Sequence, residues 1–159
     1  MNGSCGIGVV YSSAESSWTE LSYRLCGSLD INVLEVYAIS KALEIAWKEA
    51  RDLEIEQRPS KVCIYSDSPT ALDYFKGFQH SPSKLKGFPD GERLLGPSIM
   101  ATHDLVALGI VVELLYVPGH SGVEGNSKAD RAARKGTRYA AKRRVAGIMI
   151  ELVNCGHNY

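Results

Sequence analysis

Four residues have the types and settings to handle protons or divalent cations. Glu35 stands in the first turn of an otherwise apolar helix face, and Asp67 follows a short β-rich run. His120 sits in the glycine-rich stretch VPGHSGVEGN, ten residues before Asp130. Clustered carboxylates hold hard cations such as Mg²⁺ or Mn²⁺ through oxygen, and a histidine titrates near neutrality, where proton transfer is useful. Each also has an ordinary explanation. Glu35 can favour a helix N-terminus through the dipole, Asp67 can cap the helix after it, and Asp130 can face solvent. The choice turns on whether the surrounding elements bring these groups to one place.

The elements can be read from periodicity and breakers. Gly6 to Tyr11 and Trp18 to Leu25 alternate as two strands around the turn-prone SSAESS, which predicts an antiparallel hairpin. From Val33 to Ala50 the apolar residues fall at helical spacing, with Asp30 or Asn32 available as a cap. Lys61 to Ser66 reads as a strand and Ser68-Pro69 as a helix start, so Asp67 stands between them. Residues 77–96, rich in Gly, Pro, Ser and Lys, read as a loop or short irregular helix, with a helix from Pro97 to Leu108. Ile110 to Val117 follows as a strand, Pro118 to Gly125 as a loop and Asn126 to about Arg144 as a helix. The tail Gly147 to Asn154 is strand-like. Strands followed by interleaved helices and strands predict an α/β fold, a mixed sheet covered by helices. Ligand chemistry in such sheets gathers at strand ends.

Composition bounds the function. The chain has 159 residues, 45% hydrophobic and 23% charged, with 18 basic and 18 acidic side chains, as in one ordinary globular domain. The division expected is a domain over residues 1–144 and a tail able to form a strand over 145–159. No basic segment precedes a long apolar run, and the most apolar stretch, Leu108 to Val117, is short and contains Glu113. This predicts no membrane partner and an intracellular protein. Cys5, Cys26, Cys63 and Cys155 are scattered without a CxxC pair, which argues against zinc and for buried free thiols. The zero net charge conceals an asymmetry. Residues 1–56 carry nine acids and four bases, while residues 131–144 carry seven bases and no acid. Arg131, Arg134 and Lys135 open that basic run, which would attract phosphate if its members share a face.

The segments GIGVV, LEVYAISKALEIA, VCIYSDSPTAL and VELLYVPGHSGVEGNSKADRAARKG resemble a type 1 ribonuclease H domain, particularly those of fungal retrotransposon polyproteins and related stand-alone proteins. They span nearly the whole chain. The resemblance implies a five-stranded sheet in the order 3-2-1-4-5, flanked by helices. It also implies an endoribonuclease that cuts the RNA strand of RNA/DNA hybrids, and a setting within a reverse transcriptase polyprotein. Glu35, Asp67 and Asp130 match the second, third and fourth metal-binding carboxylates, and His120 matches a mobile loop histidine. Asn32, Ser68 and Asn126 are implied to hold the hybrid or the site. Two Mg²⁺ or Mn²⁺ ions about 3.5–4 Å apart would activate water and stabilise the leaving oxygen.

The first aspartate of the pattern, in a strand ending Asp-Gly-Ser or Asp-Ala-Ser, has no counterpart. Either Asn2-Gly3-Ser4 occupies its position with Asn for Asp, or Asn2-Gly3 is the turn after a strand lying upstream of Met1, the alignment preferred here. An amide cannot supply the bridging charge, so poor or absent cleavage is expected. The alternative function is a catalytically degenerate nucleic-acid-binding module of the same fold. In the preferred alignment the tail could take the vacant central place in the sheet and bring Glu151 near the site.

Overall fold

In the computed structural model, which describes residues 4–12, 17–26, 29–119, 122–138 and 148–158, strand β1 (Ser4–Tyr11) pairs antiparallel with β2 (Trp18–Cys26). The hairpin register runs from Ser4 opposite Cys26 to Tyr11 opposite Thr19. Period-two alternation sends Ile7, Val9, Leu21, Tyr23 and Leu25 to one face, where all are buried. The other face carries Gly6 and Gly8 beside Arg24 and Ser22, with Glu20 further along β2. Against this second face lies α4 (Glu124–Arg138). It comes close because the strand offers glycines there. A Cβ on Gly8 would fall 2.1 Å from the Ala129 carbonyl oxygen, and one on Gly6 would fall 2.1 Å from that of Ala133.

The tail forms a strand, β5 (Ile150–Asn158), as expected, but not in the place expected. It pairs antiparallel with β2, giving the order β1-β2-β5, with a register shift between Ser22 and Tyr23. Glu151 stands opposite Arg24, whose guanidinium donates to its carboxylate. Glu151 thus pairs with the buried Arg24 on β2 instead of filling a central gap.

These elements belong to one compact unit, drawn from Met1–Leu34 and Pro118–Tyr159, while Glu35–Val117 makes up a second. In the second unit β3 (Lys61–Ser66) runs parallel to β4 (Val111–Tyr116), with Lys61 opposite Val111 and Ser66 opposite Tyr116. Mixed α/β architecture with five strands is therefore observed. Among the described residues the strands pair as β1-β2-β5 in the first unit and as β3-β4 in the second.

Helix α1 (Ile31–Arg51) begins two residues earlier than its apolar period suggests, since the Asp30 carboxylate accepts from the Asn32 backbone N–H at 2.8 Å. Its last turns supply Ala46, Trp47 and Ala50 to a core with Leu105, Ile110, Val62 and Val112. Helix α2 spans Pro69–His80, and a 3₁₀ turn spans Pro82–Gly87. Helix α3 (Gly91–Ala107) starts six residues before Pro97, where the local sequence predicts its beginning. Pro97 lies inside it, preceded by Gly96, which has no Cβ to meet the pyrrolidine ring in helical conformation. Burial of Leu94, Leu95, Ile99 and Leu105 holds the helix through that point. Among the described residues no helix is long and apolar enough to cross a membrane. Cys5, Cys26 and Cys63 are each only partly buried.

Candidate functional site

Glu35 is the fifth residue of α1 and half-buried, so it lies past the first turn, where the dipole argument for it loses force. The first turn holds no acid, and Asp30 just before it does the capping. Asn32 turns its side-chain amide back on the same Asp30 carboxylate at 2.9 Å.

Asp67 is the first residue beyond β3 and is half-buried. The parallel pairing carries on to the strand end, where the Val117 N–H donates to the Ser66 carbonyl at 3.0 Å. Ser68 caps α2 by accepting from the Ala71 N–H at 3.2 Å, and its own N–H donates to the Ser66 hydroxyl at the same distance. The cap is therefore serine, and the Asp67 carboxylate stands at the C-terminal end of a parallel strand, the position where α/β sheets present reactive groups. The hydroxyl implied to hold the site or a hybrid, that of Ser68, is engaged within its own helix.

Asp130 lies on α4. One face of that helix is apolar and narrow, with Ala132 and Gly136 buried; Gly136 sits so close to β2 that a Cβ there would fall 2.2 Å from the Tyr23 carbonyl oxygen. The opposite face opens into a groove of about 540 Å³ lined by Ser127, Asp130, Arg131, Arg134, Lys135 and Arg138. All three basic residues singled out from the sequence thus meet at one surface with the last carboxylate, and Arg138 joins them. Asn126, half-buried in the first turn of α4, is not among the groove residues. His120 lies outside the described residues, as do positions 139–147, so α4 is described to Arg138 where the sequence suggested about Arg144.

Sequence reading missed the acid beneath this helix. Glu20 on β2 is almost wholly buried and accepts a hydrogen bond from Arg131. Lys135 and Lys128 stand 3.6 and 3.8 Å from its oxygens. Burial pushes its carboxyl up, but the Arg131 hydrogen bond and the charges of Arg131, Lys135 and Lys128 outweigh this and hold it below the ordinary value of 4.5. A signal was present: the alternation of WTELSYRL puts Glu20 and Arg24 on one strand face, and residues 128, 131 and 135 form one helical stripe.

The lowered pKa fixes a pH window. The contribution of Glu20 to stability is fully present above its unfolded pKa and is lost as pH falls through the folded one. Glu20→Gln is expected to flatten the acid limb of the stability curve from about pH 5 downward. Urea unfolding of both proteins across that range, followed by circular dichroism, checks it; parallel acid limbs would show that the cluster contributes nothing.

Glu35 and Asp67 share one unit, whereas Asn32, Asn126, Asp130 and the basic residues belong to the other. Among the described residues no group of three or more His, Cys, Asp or Glu is placed to hold a metal ion. The carboxylate oxygens have the chemistry for Mg²⁺ or Mn²⁺.

Comparison with known proteins gives these features a common frame. Ribonuclease H1 of Homo sapiens is 28% identical over 142 residues, covering 84% of this chain and 43% of its own length. Ribonuclease H1 of Rattus norvegicus is 26% identical over 137 residues, with coverages of 84% and 44%. The chain therefore spans less than half the length of these curated relatives. A solved RNase H domain of prototype foamy virus is similar at 15% identity and a TM-score of 0.43, covering 86% of this chain and 93% of that one. The RNase H family model matches residues 1–138, from β1 to the end of α4, a span that encloses Glu35, Asp67 and the α4 groove and stops short of β5. By a match over most of its length, the chain belongs to the RNase H family.

Proposed function

We propose that this chain binds RNA/DNA hybrids and is built for hydrolysis of their RNA strand, with a carboxylate set too small for efficient cleavage. The observation that carries the reading is the α4 groove, where Asp130 stands among Arg131, Arg134, Lys135 and Arg138. A row of cations suits a phosphodiester backbone, to which it gives affinity without sequence preference. Choice of a hybrid over DNA would come from 2′-hydroxyl contacts across a wide minor groove.

Glu35, Asp67 and Asp130 are the residues assigned to hold two Mg²⁺ or Mn²⁺ ions, which when bound supply water activation and stabilise the leaving oxygen. His120 is assigned proton transfer or product departure. No counterpart of the first aspartate is found among the residues that match the pattern. The second reading, a binding module that no longer cleaves, follows from the same shortfall. A setting within a retrotransposon reverse transcriptase polyprotein, inside the cell, belongs to this proposal on the sequence resemblance alone.

The experiment is a fluorescent-hybrid assay with Mg²⁺ and with Mn²⁺, run beside a binding titration over a range of salt. Binding that weakens steeply with salt, with little or no cleavage, is the expected result. Strong Mg²⁺-dependent cleavage that Asp67→Asn abolishes would overturn the shortfall. Absence of hybrid binding would overturn the reading as a whole.

A further inference from the structure

We infer that Glu20 is a positioning residue for phosphate binding: from beneath α4 it holds the Arg131 and Lys135 side chains in the orientation in which they line the basic groove. This rests on the nucleic-acid reading above and adds to it a residue that touches no ligand.

The geometry separates two roles on one helix. Lys128, Arg131 and Lys135 form the stripe that reaches down to Glu20, whose side chain is 2% exposed. Arg134, Arg138, Ser127 and Asp130 line the groove. Arg131 and Lys135 belong to both sets. Lys128 is more buried and is also braced by Glu124 at 3.5 Å, so it closes the inner side of the cluster. Arg131 donates an N–H from one terminal nitrogen to Glu20, while its side chain remains 54% exposed. A guanidinium has five N–H donors in a rigid fork, so a single anchoring bond leaves others for a phosphate.

Two effects of the buried carboxylate oppose each other. Its negative charge subtracts from the field of the groove. Its grip also removes in advance the rotamer freedom that a long basic side chain would otherwise lose on binding. Four basic groups within a few turns of one helix repel each other, and with no acid under them they spread away from a common surface. Salt damps the field of Glu20 on phosphates more than about 8–10 Å away, and for those the ordering of Arg131 and Lys135 is what counts.

The sign of the effect is the test. Binding of a short RNA/DNA hybrid to the full chain is titrated by fluorescence anisotropy in chelator at several salt concentrations, for the unsubstituted protein, Glu20→Gln, Arg131→Ala and the double variant. Glu20→Gln is expected to weaken binding about tenfold near 0.1 M salt and to lower the slope of log K against log salt by about 1. In the Arg131→Ala background the same change should add little, since Glu20 acts through Arg131. A slope that stays the same or steepens, or losses that simply add, would overturn the inference while hybrid binding by the unsubstituted protein kept the broader reading intact. Hybrid binding absent from the unsubstituted protein would overturn both. If Glu20→Gln does not fold, the unsubstituted protein answers by side-chain NMR without ligand. Arg131 should then show slow guanidinium rotation and Arg134 fast rotation, and equal freedom of the two would overturn the inference.

Discussion

Gly8→Val is expected to destabilise the protein by about 3 kcal/mol or more and to weaken the α4 groove along with the fold. A Cβ at this position meets the Ala129 carbonyl oxygen at 2.1 Å, the Ala133 nitrogen at 2.7 Å and the Ala132 Cβ at 2.8 Å. Two of these are helix backbone, so no rotamer change relieves the contact, and α4 must move off the sheet by about an ångström or more. That motion separates Arg131 and Lys135 from Glu20. Equilibrium urea unfolding measures the loss, and Gly8→Ala should show most of it. Gly77→Ala is the matched control, because in α2 the added Cβ meets only the Lys84 ammonium at 3.9 Å. There a gain of about 0.5–1 kcal/mol from helix propensity is expected. Equal tolerance at Gly8 and Gly77 would mean that the close approach of α4 to β1 does not matter to stability.

This contact shows what the amino-acid sequence discloses and what it conceals. GIGVV is legible as a strand, and Ser68-Pro69 marks a helix start, so Asp67 could be placed at a strand end from local chemistry alone. The basic run on α4 was legible for the same reason, since helical spacing puts Arg131, Arg134 and Lys135 on one surface. Local signals failed where a distant partner decides. Gly96-Pro97 reads as a helix boundary until the burial of Leu94 and Leu95 is known. The tail reads as a strand, but its partner strand, where Glu151 meets Arg24, lies more than a hundred residues away. Glu20 reads as one acid among many until the cations of α4 are laid over it.

The second large effect is alkaline. Tyr37, on α1, is fully buried, donates its hydroxyl to the Pro89 carbonyl and stands edge-on to Phe88 at 5.9 Å. Burial and the nearby Asp90 carboxylate push its pKa from 10.0 up to about 12, against the opposing charge of Arg93. The phenol is raised, so its contribution is fully present below the unfolded pKa and is lost as pH rises through the folded one. Stability should hold to about pH 10 and then fall by about 2–3 kcal/mol toward pH 12 through this group. Tyr37→Phe has no phenol to ionise. It should cost about 1 kcal/mol at neutral pH through the lost hydrogen bond, and its disadvantage should shrink as pH rises. Urea unfolding of the two proteins at neutral pH and near pH 11 decides the matter. A difference that does not change with pH would place the alkaline transition elsewhere.

The pairing of β5 with β2 also sets an order of events. The Arg24–Glu151 bond joins residues 127 positions apart, whereas the β1–β2 hairpin closes over a short turn. Closing the longer loop costs more chain entropy, and its gain arrives only when both ends are held. During synthesis β2 and its buried guanidinium must wait for the 127 residues up to Glu151 to emerge before that partner exists. The hairpin and the Glu35–Val117 unit can assemble first, and docking of the final strand completes the three-stranded sheet.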